Sequence, residues 1–194
     1  TSPYYEDDLV TLYLGDCREV DAWLSADVLV TDPPYGRAWR QGCLHSGDGH
    51  AGIVGDEDTS IRDWVLDRWG SGRPAIAFGD LMLPPPTGTR QVLVYQKAPD
   101  AGVRGAFGGW RRDLEAIYLL GKWPGGLGSD SSLLRTHARI QGNPIGLAAR
   151  SGHPHAKPLD VMQVILAHCP PGVVADPFAG SGSTLVAAKL AGRR

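Results

Sequence analysis

The 194-residue sequence has no apolar run that approaches the roughly 20 residues of a membrane-spanning helix. Its start, from Thr1 to Asp8, contains neither the basic nor the apolar region of a signal peptide. The three cysteines, Cys17, Cys43 and Cys169, lie far apart and form no C-x-x-C pair, so neither a disulfide framework nor a zinc knuckle is indicated. These absences predict a cytoplasmic protein without membrane spans, whose cysteines are plain thiols.

The sequence also lacks an excess of charge of one sign, since 19 Lys and Arg residues face 21 Asp and Glu residues. The charges are nevertheless unevenly spread along the chain. Residues 1–35 carry eight acids and one base, whereas residues 97–157 carry nine bases and four acids. A polyanion would therefore bind the middle of the chain in preference to its start. Alternatively, these Lys and Arg residues only solvate a loop-rich surface.

The 26 glycines and 15 prolines make up about a fifth of the chain, which predicts many loops. This share is below the quarter or more that is typical of low-complexity chains, and the sequence has no internal repeat. The length fits one globular domain, or one domain with a small insertion.

Continuous apolar runs predict strands that are covered on both faces of a parallel sheet. The clearest run, 28–31, ends before Pro33 and Pro34, because proline cannot donate a ladder hydrogen bond. The apolar residues Ile61, Trp64, Val65 and Leu66 are predicted to share the buried face of a helix. All predicted strands lie at 11–14, 28–31, 75–78, 91–95, 115–120 and 173–175, and the helices lie at 61–69, 158–168 and 183–190. This alternation predicts a three-layer α/β domain.

Two segments have the composition of loops. Residues 36–60 show little periodicity and much glycine, which predicts a flexible loop, and residues 121–157 have few apolar runs, which is typical of a binding insertion. Trp39, Trp110 and Trp123 lie among glycines and bases, where they would either stack on nucleotides or anchor the core. The strand that closely follows Trp110 favours a core position for that residue.

A glycine-rich turn connects the last predicted strand to the last predicted helix, over Asp176-Pro177-Phe178-Ala179-Gly180-Ser181-Gly182-Ser183-Thr184. Such a turn lets backbone N–H groups approach a ligand closely, and the helix dipole favours an anionic group there. The turn does not match the P-loop, because no Lys follows the second glycine. It also fails the G-x-G-x-x-G dinucleotide pattern, because Leu185 stands in place of the third glycine. A glycine turn that serves packing alone is the alternative.

A second candidate site is Asp32-Pro33-Pro34-Tyr35, directly after a predicted strand. In an open α/β sheet, ligands bind at the carboxyl ends of the strands. Here Asp32 offers a carboxylate, the carbonyl of Pro33 has no competing ladder partner, and Tyr35 offers a flat ring. Two acceptors beside an aromatic face suit a planar heterocycle that bears an NH2 group. The alternative is a turn whose aspartate is satisfied locally.

Together these motifs resemble those of amino-group DNA methyltransferases that use S-adenosylmethionine, in the permuted subgroup whose D-P-P-Y precedes its F-x-G-x-G. Residues 32–35 match the first motif and residues 178–182 match the second, in that order. Two shorter segments also fit. Leu14-Gly15-Asp16-Cys17 resembles the G-D-C segment near the cofactor adenine, and His155-Ala156-Lys157-Pro158 resembles the K-P start of the helix that closes the cofactor site.

The resemblance runs along nearly the whole chain and implies a single methyltransferase domain over residues 1–194. The implied fold is a Rossmann-like three-layer sheet, mostly parallel with one antiparallel strand. Within it, residues 121–157 would be a target-recognition insertion and residues 36–60 an active-site loop. In the family, the strand after the last helix ends in an acid that binds the cofactor ribose, and this sequence ends at Arg194, before such a strand.

The resemblance also assigns roles to individual residues. The implied catalytic residues are Asp32, Pro33, Pro34 and Tyr35. The implied cofactor-binding residues are Asp16, Asp176, Phe178, Gly180, Gly182, Ser183, Thr184 and Lys157, with Lys157 at the carboxylate end of the cofactor. No metal is required. His153 and His155 are close in sequence, but no other ligands are spaced to complete a metal site.

The implied activity is methyl transfer from S-adenosylmethionine to the exocyclic amine of a base flipped out of double-stranded DNA. D-P-P-Y favours adenine N6, because S-P-P-Y is more frequent with cytosine N4; the cytosine enzyme and a non-catalytic DNA-binding module remain alternatives. Methyltransferases of protein glutamine or RNA normally place the glycine-rich motif first, so the order here argues against them. The resemblance implies a bacterial, archaeal or phage-encoded protein and leaves a homodimer and a cognate restriction nuclease open as partners.

Overall fold

The computed structural model describes residues 2–38, 52–99, 101, 106–126, 128–136 and 156–194. Parts of the predicted loop 36–60 and of the predicted insertion 121–157 lie outside these residues, as do Trp39, Cys43, His153 and His155.

The centre of the fold is a six-stranded sheet. The strands of the described residues are β1 Tyr5–Glu6, β2 Thr11–Leu12, β3 Val28–Thr31, β4 Ala75–Gly79, β5 Thr89–Gln96, β6 Leu114–Leu120, β7 Leu133–Arg135 and β8 Val174–Ala175. The order in the central sheet is β7-β5-β6-β4-β3-β8. Strand β6 is antiparallel to both of its neighbours, and the other pairs are parallel. The expected mostly parallel sheet with one antiparallel strand is therefore confirmed. A separate antiparallel pair is formed by β1 and β2.

Helices cover both faces of this sheet. They are α1 Ser60–Trp69, α2 Leu159–His168 and α3 Ser183–Leu190, and a 3₁₀ helix spans Ala22–Ser25. Successive side chains of a strand point to opposite faces, so Val28 and Val30 pack with α2 and α3, whereas Leu29 packs with Trp23 and α1. The apolar runs of the sequence are thus buried on both sides, which confirms the three-layer α/β prediction.

Strand β7 was not predicted, and it lies inside the segment 121–157. Its three residues pair in parallel with the end of β5, at the edge of the sheet. Leu134 packs against the core, while Leu133 and Arg135 are more exposed. A three-residue edge strand is too short to show a pattern that distinguishes it from loop sequence, so only its pairing with β5 defines it.

The buried face of α1 differs from the predicted one. Arg62, Val65 and Trp69 are buried, whereas Trp64, which was predicted to be buried, is 37% exposed. The buried set follows the i, i+3, i+7 spacing of a helix face. The guanidinium of Arg62 pairs with Asp63 at 2.8 Å. This ion pair offsets the cost of burying the arginine charge.

The prediction that Trp110 anchors the core is wrong, because its side chain is 82% exposed. The residue belongs to a tight hairpin that precedes β6. Trp123 has the core role instead, since it packs against the α2 side of the sheet and its indole N–H donates to the Leu120 carbonyl at 2.8 Å.

In the described part of the chain, no helix is long and apolar enough to cross a membrane. The two cysteines described there, Cys17 and Cys169, are thiols without a disulfide partner. Among the same residues, no group of His, Cys, Asp and Glu side chains is arranged to hold a metal ion.

Candidate active site

The two sequence motifs meet at one edge of the sheet, because β3 and β8 are neighbouring parallel strands. Asp32 follows the last residue of β3, and Asp176 follows the last residue of β8. The hydroxyl of Thr31 donates to Asp176 Oδ1 at 2.7 Å and so joins the two strand ends directly. The carboxyl edge of the sheet therefore holds both candidate sites together, as expected for an open α/β fold.

One cleft of about 1310 Å³ is lined by both motifs, through residues 32–35 on one side and 176–181, 183 and 184 on the other. Sites for single small molecules occupy roughly 300–1,000 Å³. The cleft is thus large enough for a nucleoside-sized cofactor and a second planar group side by side.

The wall formed by residues 176–184 is shaped by two glycines with left-handed backbone. Gly180 has φ +47° and Gly182 has φ +76°, a region that residues with a side chain seldom adopt. Gly182 caps the start of α3, and its N–H donates to the Ala179 carbonyl at 2.6 Å. The N–H groups that begin a helix have no partner within it, so this turn fits a cofactor held by backbone groups.

The Asp176 carboxylate stabilises the turn through hydrogen bonds. Its Oδ1 accepts the Phe178 N–H at 3.0 Å as well as the Thr31 hydroxyl, and the nearby, buried Thr184 side chain also favours the ionised form of this carboxylate. Burial raises the pKa of Asp176 to about 6, even though these hydrogen bonds favour the ionised form. The carboxylate is therefore a structural acceptor with an unusually high proton affinity.

The other wall contains the turn after β3. Pro33 is buried, and the turn closes at Gly36, whose φ of +79° and close approach to the backbone of Asp58 leave no space for a side chain. The Gly36 N–H donates to Oδ1 of the buried Asp56 at 2.8 Å. These contacts fix residues 32–35 in place and leave the Asp32 carboxylate and the Tyr35 ring on the cleft wall.

Asp32 belongs to a network of charges in the cleft. Its Oδ2 lies 2.7 Å from the Lys157 ammonium, and its Oδ1 lies 2.9 Å from the Tyr35 hydroxyl. The same hydroxyl lies 3.0 Å from Glu115 Oε2, so it donates to one carboxylate at a time. Each carboxylate oxygen has two lone pairs, and Asp32 therefore keeps the capacity to accept a further donor from the cleft.

Glu115 is the second carboxylate of this network and is buried at the start of β6. Lys97 lies 2.6 Å from its Oε1, and Lys157 lies 3.3 Å from its Oε2. Burial alone would raise the pKa of Glu115, but the two ammonium groups and the Tyr35 hydroxyl lower it to about 2. Burial likewise opposes the charged form of Lys157, yet Asp32 and Glu115 raise the pKa of its ammonium. Two lysines thus balance two carboxylates.

Most of the predicted site residues line this cleft, but two do not. Phe178, Gly180, Ser183, Thr184 and Lys157 are on its walls. Gly182 lies behind the wall as the helix cap. The Asp16 carboxylate pairs with Arg18 at 2.5 Å, which lowers the pKa of Asp16 to about 2, while its neighbours Gly15 and Cys17 line the cleft. The roles of these residues toward a cofactor stay predictions.

Sequence reasoning missed Glu115, Lys97 and Thr31. Glu115 carries a recognisable signal, because it is the one charged residue in the otherwise apolar strand Leu114–Leu120. A buried charge is costly unless it is paired, so an acid in such a strand indicates a specific role. Lys97 and Thr31 carry no comparable signal, since only the folding of β3, β5 and β6 into one sheet brings them to this edge.

The fold and the cleft define a Rossmann-like α/β methyltransferase architecture. The sequence matches the DNA methylase family of N6 and N4 methyltransferases over residues 63–194. Because this match spans more than half of the chain, the protein belongs to that family.

Solved structures share this fold. The structure of the M1.HpyAVI–SAM complex is similar, with a TM-score of 0.59 and 20% identity over 94% of this chain and 89% of that chain. The cytosine-N4-specific PvuII DNA methyltransferase has a TM-score of 0.62 and 15% identity over 97% of this chain and 81% of that chain. At these identities the likeness concerns the fold. A comparison with curated protein sequences gives no match.

Proposed function

We propose that this protein transfers a methyl group from S-adenosylmethionine to the exocyclic amine of a base in DNA, with adenine N6 as the favoured target. The observation that carries the proposal is the single cleft in which Asp32-Pro33-Pro34-Tyr35 faces the glycine turn after β8. Membership of the DNA methylase family supports the class of substrate, and the similar fold of the M1.HpyAVI–SAM complex supports the cofactor.

The turn at residues 176–184 forms the cofactor side of the proposed site. S-adenosylmethionine supplies a methyl group bound to a positively charged sulfur. Gly180 and Gly182 let the backbone approach it closely, Phe178 packs beside it, and Ser183 and Thr184 present the first N–H groups of α3. We also assign Asp16 to the adenine end and Asp176 to support of the turn.

Asp32 and the Pro33 carbonyl form the base side. The exocyclic nitrogen of a base is a weak nucleophile, because its lone pair is delocalised into the ring. When Asp32 and Pro33 each accept one of its N–H bonds, the nitrogen becomes pyramidal and its lone pair points across the cleft. These hydrogen bonds strengthen as positive charge builds on the nitrogen, and loss of one costs roughly 10²–10³ in rate. The proton then leaves to Asp32 or to water.

Tyr35 and Pro34 complete the base side. A base inside a duplex does not reach this cleft and must be flipped out, at a cost of a few kcal/mol. Stacking on the Tyr35 ring offsets part of that cost. The hydroxyl of the same residue links Asp32 to Glu115, so one side chain serves both base stacking and the position of the acceptor.

Lys157 and Glu115 position Asp32 in this proposal. The Lys157 ammonium holds one Asp32 oxygen, and Glu115 holds Lys157 and the Tyr35 hydroxyl in turn. Such a preformed arrangement avoids reorganisation when the base arrives. The carboxylate end of the cofactor remains a second proposed partner of Lys157, since this side chain lines the shared cleft.

Cytosine N4 is the second candidate target. The aspartate in D-P-P-Y favours adenine. The fold, however, is as similar to that of the cytosine-N4-specific PvuII enzyme, with a TM-score of 0.62, as to that of M1.HpyAVI, with a TM-score of 0.59. We propose that residues 1–194 act as one catalytic domain, in which residues 121–157 contribute target recognition and residues 36–60 an active-site loop. Base identity would then be read by groups in that insertion.

Incubation with labelled S-adenosylmethionine and unmethylated plasmid DNA tests the function directly. The DNA is digested to nucleosides and analysed by mass spectrometry. We expect N6-methyladenine. N4-methylcytosine would keep the enzyme class and change the target. If no labelled nucleoside is found, the result would favour a non-catalytic DNA-binding module, provided that calorimetry shows that the protein binds the cofactor.

A further inference from the structure

Two aromatic side chains stand out at the tip of a hairpin before β6. Phe107 and Trp110 exchange both backbone hydrogen bonds, at 2.9 and 3.0 Å, around Gly108 and Gly109. Both glycines have left-handed backbone, with φ of +57° and +83°, which is the conformation of a tight two-residue hairpin turn. Phe107 is 83% exposed and Trp110 is 82% exposed.

Residues opposite each other in a hairpin project from the same face of the ribbon, so the two rings form one exposed aromatic surface. Phenylalanine and tryptophan bury roughly 150–250 Å² each when they are covered. A contiguous exposed apolar surface of this kind marks an interaction site in a folded protein. The turn itself does not require aromatic residues, because its geometry depends on the two glycines.

The hairpin is anchored at the rim of the cleft. The guanidinium of Arg111 donates to the Pro99 carbonyl and to Asp113 at 3.2 Å, which fixes the base of the hairpin to the end of β5 and the start of β6. The Lys97 N–H donates to the Asp113 carbonyl at 2.7 Å, and Glu115 follows two residues later with its contact to Tyr35. The base of the hairpin therefore lies beside the proposed base pocket, since Lys97, Arg112 and Glu115 line the cleft, and the aromatic tip projects beyond the cleft wall.

Positive charge connects the tip to the cleft. Arg112 follows Trp110 closely, is exposed, and lines the same cleft as Asp32. Aromatic faces next to arginine are the combination that binds nucleic acid, since rings stack on bases and guanidinium groups hold phosphates. The hairpin also belongs to the stretch 97–157, which contains nine basic and four acidic residues.

We propose that Phe107, Trp110 and Arg112 form a DNA-contact element at the rim of the active-site cleft. In this element the rings stack on bases next to the flipped base and Arg112 holds a backbone phosphate. The inference rests on the proposed function, because that function makes DNA the partner of the cleft.

Direct DNA binding by matched variants tests the element without depending on methyl transfer. The double variant Phe107→Ala/Trp110→Ala is measured against wild type by fluorescence anisotropy with a labelled fragment of unmethylated plasmid DNA. Loss of each stacking ring is expected to raise the Kd by roughly 5- to 150-fold, so the double variant should bind more weakly than a variant that lacks one ring. Trp64→Ala on the outer face of α1 is the control, since it removes another exposed tryptophan and should leave the Kd unchanged.

Conservative changes separate stacking from general stability. Trp110→Phe should retain most of the DNA affinity, whereas Trp110→Leu, which is apolar but not planar, should lose it. Arg112→Ala should flatten the dependence of log Kd on log salt concentration by about 0.9, the value for one phosphate contact. Cofactor binding and the thermal midpoint of the Phe107 and Trp110 variants should match wild type, because these side chains are exposed and do not line the cleft.

An unchanged Kd in the double variant would show that the hairpin does not contact DNA. A protein would then be the alternative partner of the aromatic surface. If wild type binds DNA but transfers no methyl group, the proposed function fails while the binding comparison still reports on the hairpin. If wild type transfers methyl groups and the double variant does so with the same kcat/KM for DNA, the hairpin proposal fails alone.

Discussion

The Lys157 ammonium lies 2.7 Å from Asp32 Oδ2, although the two residues come from opposite parts of the chain. This contact places a cation directly behind the proposed base acceptor. Together with the Tyr35 hydroxyl on the other Asp32 oxygen, it fixes the carboxylate before any ligand enters the cleft. Electrostatic preorganisation of this kind is the largest contribution to catalysis in many enzymes, and it leads to the following predictions.

Asp32→Ala should lower the rate of methyl transfer by at least roughly 10²–10³-fold and leave cofactor binding nearly intact, because the acceptor of the base N–H is lost while the glycine turn is untouched. Single-turnover methylation and calorimetry with S-adenosylmethionine measure the two effects. Asp21→Ala, an exposed aspartate paired only loosely with Arg68 at 3.9 Å, is the control. Parallel loss of transfer and cofactor affinity in the Asp32 variant would show that Asp32 has been assigned to the wrong ligand.

Tyr35→Phe should lower kcat about 10- to 100-fold, because it removes a hydroxyl that bonds to charged groups and contributes roughly 1.5–3 kcal/mol. Its ring remains, so KM for DNA should stay close to wild type. Tyr35→Ala should lower kcat and also raise KM for DNA, because stacking is lost as well. Steady-state kinetics with varied DNA concentration distinguish the two variants. Equal kinetic defects would argue against separate roles for ring and hydroxyl.

Lys157→Met should lower kcat at least tenfold and change the Kd for S-adenosylmethionine by less than about threefold, because its ammonium is engaged by Asp32 and Glu115. Lys157→Arg should recover part of the activity. Lys189→Met is the control, because Lys189 is an exposed lysine on α3 whose ammonium pairs with Asp7. The reverse pattern, weak cofactor binding with normal kcat, would instead place Lys157 at the carboxylate end of the cofactor.

Gly180→Val should weaken the binding of S-adenosylmethionine at least tenfold. A β-branched residue does not fit a φ of +47°, so the turn must move away from the cofactor. Gly192→Val is a matched control, because Gly192 has φ +66° with open space around it and lies at the far end of α3. Both variants should lose thermal stability, but only Gly180→Val should lose affinity in calorimetry. Unaltered affinity in that variant would remove the turn from the cofactor site.

The raised pKa of Asp176 predicts a pH-dependent stability difference. The folded chain holds this proton up to about pH 6, whereas the unfolded chain releases it near 3.8, so the contribution of Asp176 to stability falls as pH rises between these values. Above pH 6 the ionised group costs up to about 3 kcal/mol. Asp176→Asn should therefore gain stability relative to wild type between pH 4 and pH 7.

Urea unfolding of both proteins across this pH range measures the difference. Thr31→Val is the comparison variant: it keeps the carboxyl group but removes a hydrogen bond that favours its ionised form, so the pH dependence of stability should persist and the pKa of Asp176 should rise further. A stability difference between Asp176→Asn and wild type that stays constant with pH would mean that Asp176 titrates normally in the folded chain.

Much of the fold could be predicted because its signals are local. The runs at β3, β4 and β6 are apolar on both faces, which is the pattern of covered strands, and Gly182 marks the start of α3 through its turn geometry. Weak local signals gave the errors. Trp64 and Trp110 are apolar by type, but neighbouring elements decide which side of a helix or hairpin is covered.

The sequence by itself determined the two motifs, their order and the element type around each, because a proline pair ends a strand and glycines permit a left-handed turn. Only the tertiary structure decided that Asp32 and Asp176 are neighbours, since this depends on the pairing of β3 with β8. It also decided that Glu115, Lys97 and Lys157 surround Tyr35 and Asp32. Charges buried at a sheet edge require partners in space, and here those partners lie in β6, just after β5 and just before α2, which are distant in sequence.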